Sequence, residues 1–265
     1  MMMDKTLSAE SIAAWLQTHN IAVDVVSQTE STNLDLLSRI KAGQLCQNTL
    51  LLAIEQTGGR GRNGRRWYAD PNRSLTFSLA WRFSRPVPVI DGIPQTVGIA
   101  IAKALAACGV QVQLKWPNDI LKGGGKVAGI LIESPGGTKN HWAVIGIGIN
   151  LNLSDELEKA IDQPVANMPW LAQMDRNQLM ARLIDSLAHH LGILDEKGFD
   201  SFAAVWNNLH AHHLKPVTII QGDKVLFSGV ALGVGQDGRL LIKTDQGIET
   251  VISGDVSLRT RQGTR

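Results

Sequence analysis

The sequence predicts an α+β protein with a large mixed domain followed by a small domain of β-strands. Segments in which apolar and polar residues alternate are interspersed with segments whose apolar residues recur at helical spacing. After Lys215-Pro216, the chain gives only short strands separated by turn residues. We therefore expect residues 1–214 to form the main domain and residues 215–265 a small β-barrel that docks on it.

The first part of the main domain alternates between helices and strands. The pattern predicts a short helix over Leu7–His19, a strand over Ala22–Ser27, and a second helix that starts near Leu34 and closes at Gly43. Thr49–Glu55 is a compact apolar strand. A loop rich in glycine and arginine follows that strand directly.

Ser74–Phe83 is the clearest strand in the sequence. Its large apolar residues alternate with small or polar ones, which predicts one buried and one wetter face, as in an antiparallel sheet. Val110–Trp116 repeats this pattern. Val127–Glu133 and Trp142–Asn150 are more continuously apolar, so we expect them near the centre of the sheet.

Longer helices and a set of hairpins complete the predicted elements. Pro94–Cys108 and Asp175–Gly198 have apolar residues at helical spacing, and Asp175 with Gln178 forms a plausible capping pair. The small domain has strands at Val217–Ile220, Val225–Leu232, Arg239–Lys243 and Ile248–Ile252, separated by Gly222-Asp223, Asp237-Gly238 and Gln246-Gly247.

Composition excludes several classes of protein. The net charge of +2 over 265 residues gives no general attraction to nucleic acid or membrane, so any basic signal must be local. Cys46 and Cys108 are too few for a disulfide framework or a four-cysteine zinc site. The start of the sequence has no apolar signal region, and no uncharged run approaches the ~18 residues of a membrane helix. We therefore expect a cytoplasmic protein without a membrane partner.

The most informative loop is residues 59–67, GRGRNGRRW. Four arginines fall within seven residues, on a backbone that three glycines leave free to bend toward a ligand. Arginine matches carboxylate and phosphate oxygens, so the loop suits an anionic ligand, although a solvated basic loop is the alternative. The glycines also fit the dinucleotide pattern G-x-G-x-x-G, but a turn and a strand follow the loop where that fold needs a helix.

Three further segments carry polar residues at strand ends. In KWPND, residues 115–119, Asn118 and Asp119 suit a hydrated Mg²⁺ that carries nucleotide phosphates, and an ordinary Asn-Asp turn is the alternative. Lys126 stands at the mouth of an apolar strand, where it is either an anion ligand or a surface lysine. Small residues in GIGIN, residues 146–150, indicate a close approach of backbone or ligand.

Two other clusters of polar residues have an ordinary structural explanation as well as a functional one. Ser31, Thr32 and Asn33 stand before a helix, where they are either an N-terminal cap or a set of polar groups for a neutral ligand head. His210, His212 and His213 lie near the domain junction, but they lack recognisable metal spacing. A surface or interface role is therefore favoured for the histidines.

In this order, the segments STN, EQTGGRGRNGRRW, KWPND, KVAGILIE and GIGIN resemble the biotin–protein ligases, from about Val25 to Arg259. The resemblance implies a mixed sheet with flanking helices like that of class II aminoacyl-tRNA synthetases, followed by an SH3-like barrel. It implies residues 1–214 as the catalytic domain, which binds biotin and ATP with Mg²⁺. The biotin carboxylate would attack the α-phosphate of MgATP to give biotinyl-5′-AMP, which an acceptor lysine would then attack.

The resemblance also implies roles for individual residues. Lys126 and Arg62 would be catalytic, and Asp119 would hold the metal. The residues expected to contact biotin are Ser31, Thr32, Asn33, Gln56, Gly59, Arg60, Gly61, Arg62, Lys126 and Gly129. Those expected to bind ATP are Arg65, Lys115, Trp116, Asn118, Asp119, Lys126 and Asn150. The expected acceptor is the biotin carboxyl carrier protein domain of acetyl-CoA carboxylase, and a homodimer is possible.

The sequence disfavours several alternative functions. Only about 25 residues precede QTESTN, too few for the DNA-binding module of some relatives, so no DNA partner is expected. A lipoate–protein ligase or octanoyl transferase on the same fold would lack the arginine-rich loop. A non-catalytic biotin-binding or nucleic-acid-binding module would not require KWPND and Lys126. These segments therefore favour the biotin ligase.

Overall fold

The computed structural model of the protein describes residues 6–18, 20–71, 73–87, 90–137, 140–161, 163–222 and 224–252, and the backbone of 256–260. Helices and strands alternate along the first part of the chain. In order, the elements are α1 Ala9–Trp15, β1 Ile21–Thr29, α2 Thr32–Lys41, β2 Asn48–Gln56, β3 Ser74–Arg82, α3 Ile93–Ala107, β4 Gln113–Lys115, β5 Asp119–Lys122, β6 Gly125–Glu133, β7 Trp142–Asn150, α4 Asp155–Ala160, α5 Pro169–Gln173, α6 Arg176–Lys197, α7 Asp200–Leu209, β8 Pro216–Gln221, β9 Lys224–Val234, β10 Leu240–Thr244, β11 Gly247–Val251 and β12 Val256–Thr260.

The described strands β1 to β7 form one mixed sheet in the order β1-β2-β3-β7-β6-β5-β4. Strands β1 and β2 are parallel, because α2 carries the chain back across the sheet between them, whereas the other neighbours are antiparallel. Strands β6 and β7 lie inside the sheet, as their continuous apolar sequences predicted.

Strand β3 corrects one expectation. Its alternating residues were predicted to leave one face wet, but Ser74 to Ala80 are all buried, and Ser78 is only 1% exposed. The polar face lies beneath α2, where Ala80 packs with Leu36 in a small apolar cluster. Nearer the start of α2, the Ser78 hydroxyl lies 2.6 Å from that of Thr32. Tertiary packing therefore covers the face that the alternation alone predicted to be wet.

The opposite face of the sheet carries the main core. Helix α3 is buried over most of its length and packs against α6 and the strands. The Asp175 carboxylate caps α6, because its Oδ1 accepts from the backbone N–H of Asn177 at 2.8 Å and of Gln178 at 3.3 Å. The predicted positions of both helices are confirmed.

Some predicted boundaries were too generous, and some elements were not predicted. The first helix was expected over Leu7–His19 but covers Ala9–Trp15, and His19 lies outside the described residues. The strand expected over Val110–Trp116 is reduced to β4, because the chain turns at Trp116. The short elements β5, α4 and α5 carry too few residues for a periodic signal and were not predicted. The ten-residue helix α7 was not predicted either.

The C-terminal strands form an antiparallel sheet in the order β11-β10-β9-β8-β12, with two bulges in β9, at Leu226 opposite β8 and at Leu232 opposite β10. Asp223, in one predicted turn, lies outside the described residues. Hydrogen bonds join this sheet to the main domain. Asn207 on α7 exchanges hydrogen bonds with the backbone of Val234, and the Trp116 indole N–H lies 3.4 Å from the carbonyl of Gly238.

No described helix combines the length and the apolar character needed to cross a lipid bilayer.

Candidate active site

A cavity of about 150 Å³ opens beneath the start of α2, on the face of the sheet formed by β3, β7 and β6. The structure brings most of the predicted site residues to its wall. Those that line it are Ser31, Thr32, Asn33, Gln56, Arg60, Gly61, Arg62, Arg65, Lys115, Trp116, Asn118, Asp119, Lys126 and Gly129. Segments separated by almost one hundred residues therefore converge on one site, as the resemblance implied.

Two predicted residues lie beside the cavity without lining it. Gly59 supports Gln56 closely, since a β-carbon added at this glycine would lie 2.9 Å from the Gln56 amide nitrogen. Asn150 is 2% exposed, and its amide donates to the carbonyl of Lys126 at 3.4 Å. Among the described residues, nothing bonds the other end of the amide, Oδ1. Both residues therefore act on the cavity wall from behind.

One end of the cavity is polar and formed by the start of α2. Ser31 caps this helix, because its hydroxyl oxygen accepts from the backbone N–H of Leu34 at 3.5 Å. The parallel pairing of β1 with β2 places Thr29 opposite Gln56 and so carries the Gln56 side chain toward α2. The backbone N–H of Thr32 donates to Gln56 Oε1 at 3.0 Å. We call this polar part of the cavity the head end.

The arginine–glycine loop, residues 59–67, folds as a small hairpin over the cavity. The backbone N–H of Gly61 donates to Arg65 at 2.7 Å, and that of Trp67 donates to Gly59 at 2.9 Å. A single 3₁₀ turn at the tip includes Asn63, whose φ is +57°. The loop does not open an α-helix, which confirms that its G-x-G-x-x-G spacing is not a dinucleotide-binding turn.

The end of this loop returns Trp67 into the cavity, a residue for which the sequence predicted no role. The indole lies on a floor of two glycines: a β-carbon added at Gly148 would be 2.2 Å from Trp67 Cε2, and one at Gly129 would be 3.0 Å from Cζ3. The Lys126 ammonium lies 5.4 Å from the centre of the indole ring. Close backbone approach therefore explains the small residues of GIGIN.

Lys126 and Asp119 meet near the middle of the cavity. The β5–β6 hairpin brings the two residues together, and Lys126 Nζ lies 2.5 Å from Asp119 Oδ1. The backbone of Lys126 is held on its other side by Pro164 and Ala166, through hydrogen bonds of 2.9 and 3.0 Å. Both side chains are largely buried, so their pairing offsets much of the cost of removing them from water.

The KWPND segment forms the wall next to this pair. The Asn118 amide donates to the carbonyl of Ile130 at 2.6 Å, and its Oδ1 lies 3.4 Å from an Arg62 guanidinium nitrogen. Trp116 is fully buried and anchors the turn in the core. Asn118 therefore connects the loop to the sheet.

Charge in the cavity favours an anionic ligand. Among the described residues that line it, Asp119 is the only carboxylate, against six cationic side chains: Arg60, Arg62, Arg65, Arg66, Lys115 and Lys126. Such an excess of fixed positive charge inside a cleft attracts phosphate and carboxylate groups. The Asp119 carboxylate could hold a divalent cation that arrives with a phosphate ligand, as Mg²⁺ does, in exchange for its pairing with Lys126.

Further lining residues were not among those assigned to biotin or ATP. They are Asn63, Arg66, Trp67, Thr76, Phe77, Ser78, Pro117, Ile130, Leu131, Gly146, Ile147, Gly148 and Gln163. The polar face of β3 was visible in the sequence, yet the same alternation is typical of a solvated strand. Only the position of α2 above that strand distinguishes the two cases.

The predicted histidine cluster lies apart from the cavity, at the junction of the two domains. His210 is 4% exposed and stacks on Trp206 with 4.7 Å between ring centroids, while His212 is 9% exposed. Burial, reinforced by neighbouring positive charges, lowers the pKa of His210 to about 3 and the pKa of His212 to about 4. An interface position for these two residues is confirmed.

Comparisons with known proteins agree with the fold and the site. Residues 25–150 match the model of the Biotin/lipoate A/B protein ligase family, and residues 215–259 match that of the Biotin protein ligase C terminal domain. The bifunctional ligase/repressor BirA of Salmonella typhimurium is 32% identical over 97% of this chain and 79% of its own length. A biotin–[acetyl-CoA-carboxylase] ligase of Mycobacterium tuberculosis is 32% identical over 88% of each chain.

Solved structures show the same fold. The biotin protein ligase from Aquifex aeolicus in complex with biotin and ATP superimposes with a TM-score of 0.76 and 26% identity, over 92% of this chain and all of that one. The predicted fold class, a mixed sheet with flanking helices and a small C-terminal β-domain, is confirmed by this match. Fold, cavity and first family model together define the class of biotin and lipoate protein ligases. Within that class, the chain belongs to the biotin protein ligase family, as its relatives and its C-terminal domain show.

Proposed function

We propose that the protein activates biotin with MgATP and transfers it to a lysine of the biotin carboxyl carrier domain of acetyl-CoA carboxylase. A carboxylate oxygen of biotin attacks the α-phosphorus of ATP, the bond to the β-phosphate breaks, and pyrophosphate leaves. The neutral amine of the acceptor lysine then attacks the carbonyl carbon of biotinyl-5′-AMP. AMP leaves, and the amine loses its proton. The observation that carries this proposal is a cationic cavity with a neutral polar head end, in a chain of this family.

The head end binds the ureido ring of biotin. Ser31, Thr32, Asn33 and Gln56 supply hydroxyl and amide groups there, and Gly59 supports Gln56 from behind. A neutral ring with N–H and C=O groups needs neutral donors and acceptors, which these residues provide. Arg60 and Gly61 belong to the loop that covers the bound ring, and Gly129 leaves room for close packing beside it.

Lys126 lies between the head end and the phosphate-binding part of the cavity. Its ammonium neutralises the biotin carboxylate and stabilises the charge that develops as this carboxylate attacks the α-phosphate. Arg62 closes over the adenylate from the loop. Holding the two anions together offsets their mutual repulsion and replaces a bimolecular encounter with a fixed geometry.

ATP binds beyond the head end, where its phosphates meet cationic side chains of the cavity. Arg65 and Lys115 bind its phosphates, Asn118 and the wall formed by Trp116 position the nucleotide, and Asn150 supports the backbone of Lys126. Asp119 is the carboxylate that would hold the Mg²⁺ of MgATP. When bound, Mg²⁺ neutralises phosphate charge and favours departure of pyrophosphate.

We propose the division between catalytic and C-terminal domains at residues 214 and 215. It is supported by the start of β8 at Pro216 and by the family model that begins at residue 215. The possible homodimer and the cytoplasmic location stay predictions from the sequence and the resemblance. Sedimentation of the purified protein with and without biotin and ATP would test the first of them.

The test of this function is a coupled assay. The protein is incubated with MgATP, biotin and a carrier domain, and both pyrophosphate release and the mass of the carrier are measured. We expect biotin-dependent pyrophosphate release and one added biotinyl group, which is absent when the acceptor lysine is replaced by arginine. Absence of biotin-dependent pyrophosphate release would sink the proposal. Equal use of lipoate or octanoate would instead favour the lipoate alternative. The match to the Biotin protein ligase C terminal domain disfavours that alternative.

A further inference from the structure

Glu133, the last residue of β6, lies behind the head end and joins it to the arginine–glycine loop. One guanidinium nitrogen of Arg60 lies 2.9 and 3.0 Å from the two carboxylate oxygens of Glu133. The Asn33 amide nitrogen donates to the same carboxylate at 2.7 Å. One carboxylate therefore binds both a residue of the loop and a residue of α2.

This contact fixes the direction of the hydrogen bonds in the head end. A carboxylate paired with a guanidinium accepts hydrogen bonds and donates none, so the NH₂ group of Asn33 must face Glu133. The Asn33 carbonyl oxygen then faces Ser78, whose hydroxyl donates to it at 2.6 Å. Because Ser78 has a single proton, the Thr32 hydroxyl at 2.6 Å must donate to Ser78.

These hydrogen-bond directions determine which donors and acceptors the head end offers to a ligand. Thr32 Oγ1 also lies 3.1 Å from Gln56 Oε1, but its single proton is required by the shorter contact with Ser78. The Thr32 hydroxyl is thus left with a lone pair for a ligand N–H. Gln56 accepts from the backbone of Thr32 through Oε1, which leaves its NH₂ group to donate. Ser31 accepts from Leu34 and likewise keeps its own proton for a ligand.

We propose that Glu133 is a positioning residue that sets this proton direction and, through Arg60, couples it to the closed position of the arginine–glycine loop. The head end then presents an acceptor together with donors, the complement of a cyclic urea with N–H groups on either side of a carbonyl. The inference rests on the proposed function, because it concerns how the same cavity selects biotin.

Exchanging the amide and the carboxylate tests the proposal. Glu133→Gln keeps the shape of the side chain but allows the Asn33 amide to exchange the positions of its oxygen and nitrogen. We therefore expect the KM and the Kd for biotin to rise about tenfold. The KM for ATP and the kcat should stay within about twofold. Asn33→Asp places two carboxylates side by side and should weaken biotin binding more strongly. In the double variant Asn33→Asp/Glu133→Gln, carboxylate and amide have exchanged places, so biotin affinity should recover to better than that of Asn33→Asp.

The matched control is Glu55→Gln, which changes an exposed carboxylate on β2 and should leave the binding of both substrates unaffected. Calorimetry measures biotin binding apart from catalysis, and thermal unfolding of each variant reports on the fold. Unchanged biotin affinity in Glu133→Gln would overturn the role of Glu133, as would a double variant no better than Asn33→Asp. Failure of the wild-type protein to release pyrophosphate with biotin would count against the proposed function instead.

Discussion

The ammonium of Lys126 lies 2.5 Å from a carboxylate oxygen of Asp119, so the two residues to which the proposal gives opposite tasks are paired with each other. Their side chains are only 15% and 17% exposed. Each of the two largely buried charges is therefore paired within the cavity. In the proposed function, the biotin carboxylate would replace Asp119 at the lysine, and Asp119 would then be the carboxylate that holds the metal of MgATP.

Removal of the lysine charge should stop the first half-reaction. We expect Lys126→Ala to reduce biotin-dependent pyrophosphate release by about a hundredfold or more, because a fixed cation no longer offsets the charge of the two reacting anions. Lys122→Ala, at an exposed position on the same hairpin, is the control. Circular dichroism should show both variants folded, and near-normal adenylation by Lys126→Ala would refute the role of the lysine.

Loss of the Arg62 side chain should loosen the arginine–glycine loop, which forms the lid of the cavity, rather than stop adenylation. Arg62 contacts Asn118 across the cavity at 3.4 Å, and Arg62→Gly removes that contact. We expect biotinyl-5′-AMP to escape and to label lysines of bystander proteins, which a streptavidin blot detects. Asn63→Gly adds similar backbone freedom at a residue whose φ is already positive, and it should retain the adenylate far better. Equal retention by Arg62→Gly and the wild-type protein would show that Arg62 does not form the lid.

The glycine floor beneath Trp67 predicts a steric effect. A β-carbon in Gly148→Ala would lie 2.2 Å from the indole, so Trp67 must move and disturb the cavity wall. We expect kcat/KM for biotin to fall at least about tenfold. Gly192→Ala in α6 has open space around it and should keep full activity while gaining about 0.5–1 kcal/mol of stability. Wild-type kinetics in Gly148→Ala would mean that the tryptophan does not need this floor.

The junction histidines predict a loss of stability in mild acid. The pKa values of His210 and His212 are lowered in the folded protein to about 3 and about 4, chiefly by burial. The unfolded chain takes up protons near the ordinary pKa of 6.5, so the stabilisation is complete above that pH and is lost as the pH falls toward 4. Each histidine contributes up to about 1.4 kcal/mol per pH unit within this window.

Urea unfolding between pH 7.5 and 4.5 measures this dependence. His210→Phe keeps an aromatic ring against Trp206 but cannot titrate, so the free energy of unfolding should depend less steeply on pH. His189→Gln, at an exposed position on α6, should follow the wild-type curve. If the free energy of unfolding of His210→Phe kept the full dependence on pH, His210 would not contribute to the loss of stability in acid.

The long elements were predictable because their signals are local. Helix α6 follows from apolar residues at helical spacing and a capping aspartate, and β6 and β7 follow from continuous apolar runs. The short helix α5 has too few residues for such a signal. The preference of the arginine–glycine loop for an anionic ligand could also be predicted, because clustered guanidinium groups bind anions wherever the fold places them.

The sequence by itself determined the order of the main elements and the residue types that meet at the cavity. Only the tertiary structure decided how those residues are paired. Asn33 and Glu133 are 100 residues apart in the chain, and Asn33 and Ser78 are 45 apart, so no local pattern reveals that they share hydrogen bonds. The same holds for the buried polar face of β3. Burial and partner choice depend on which distant element packs above a residue, and that is a property of the whole fold.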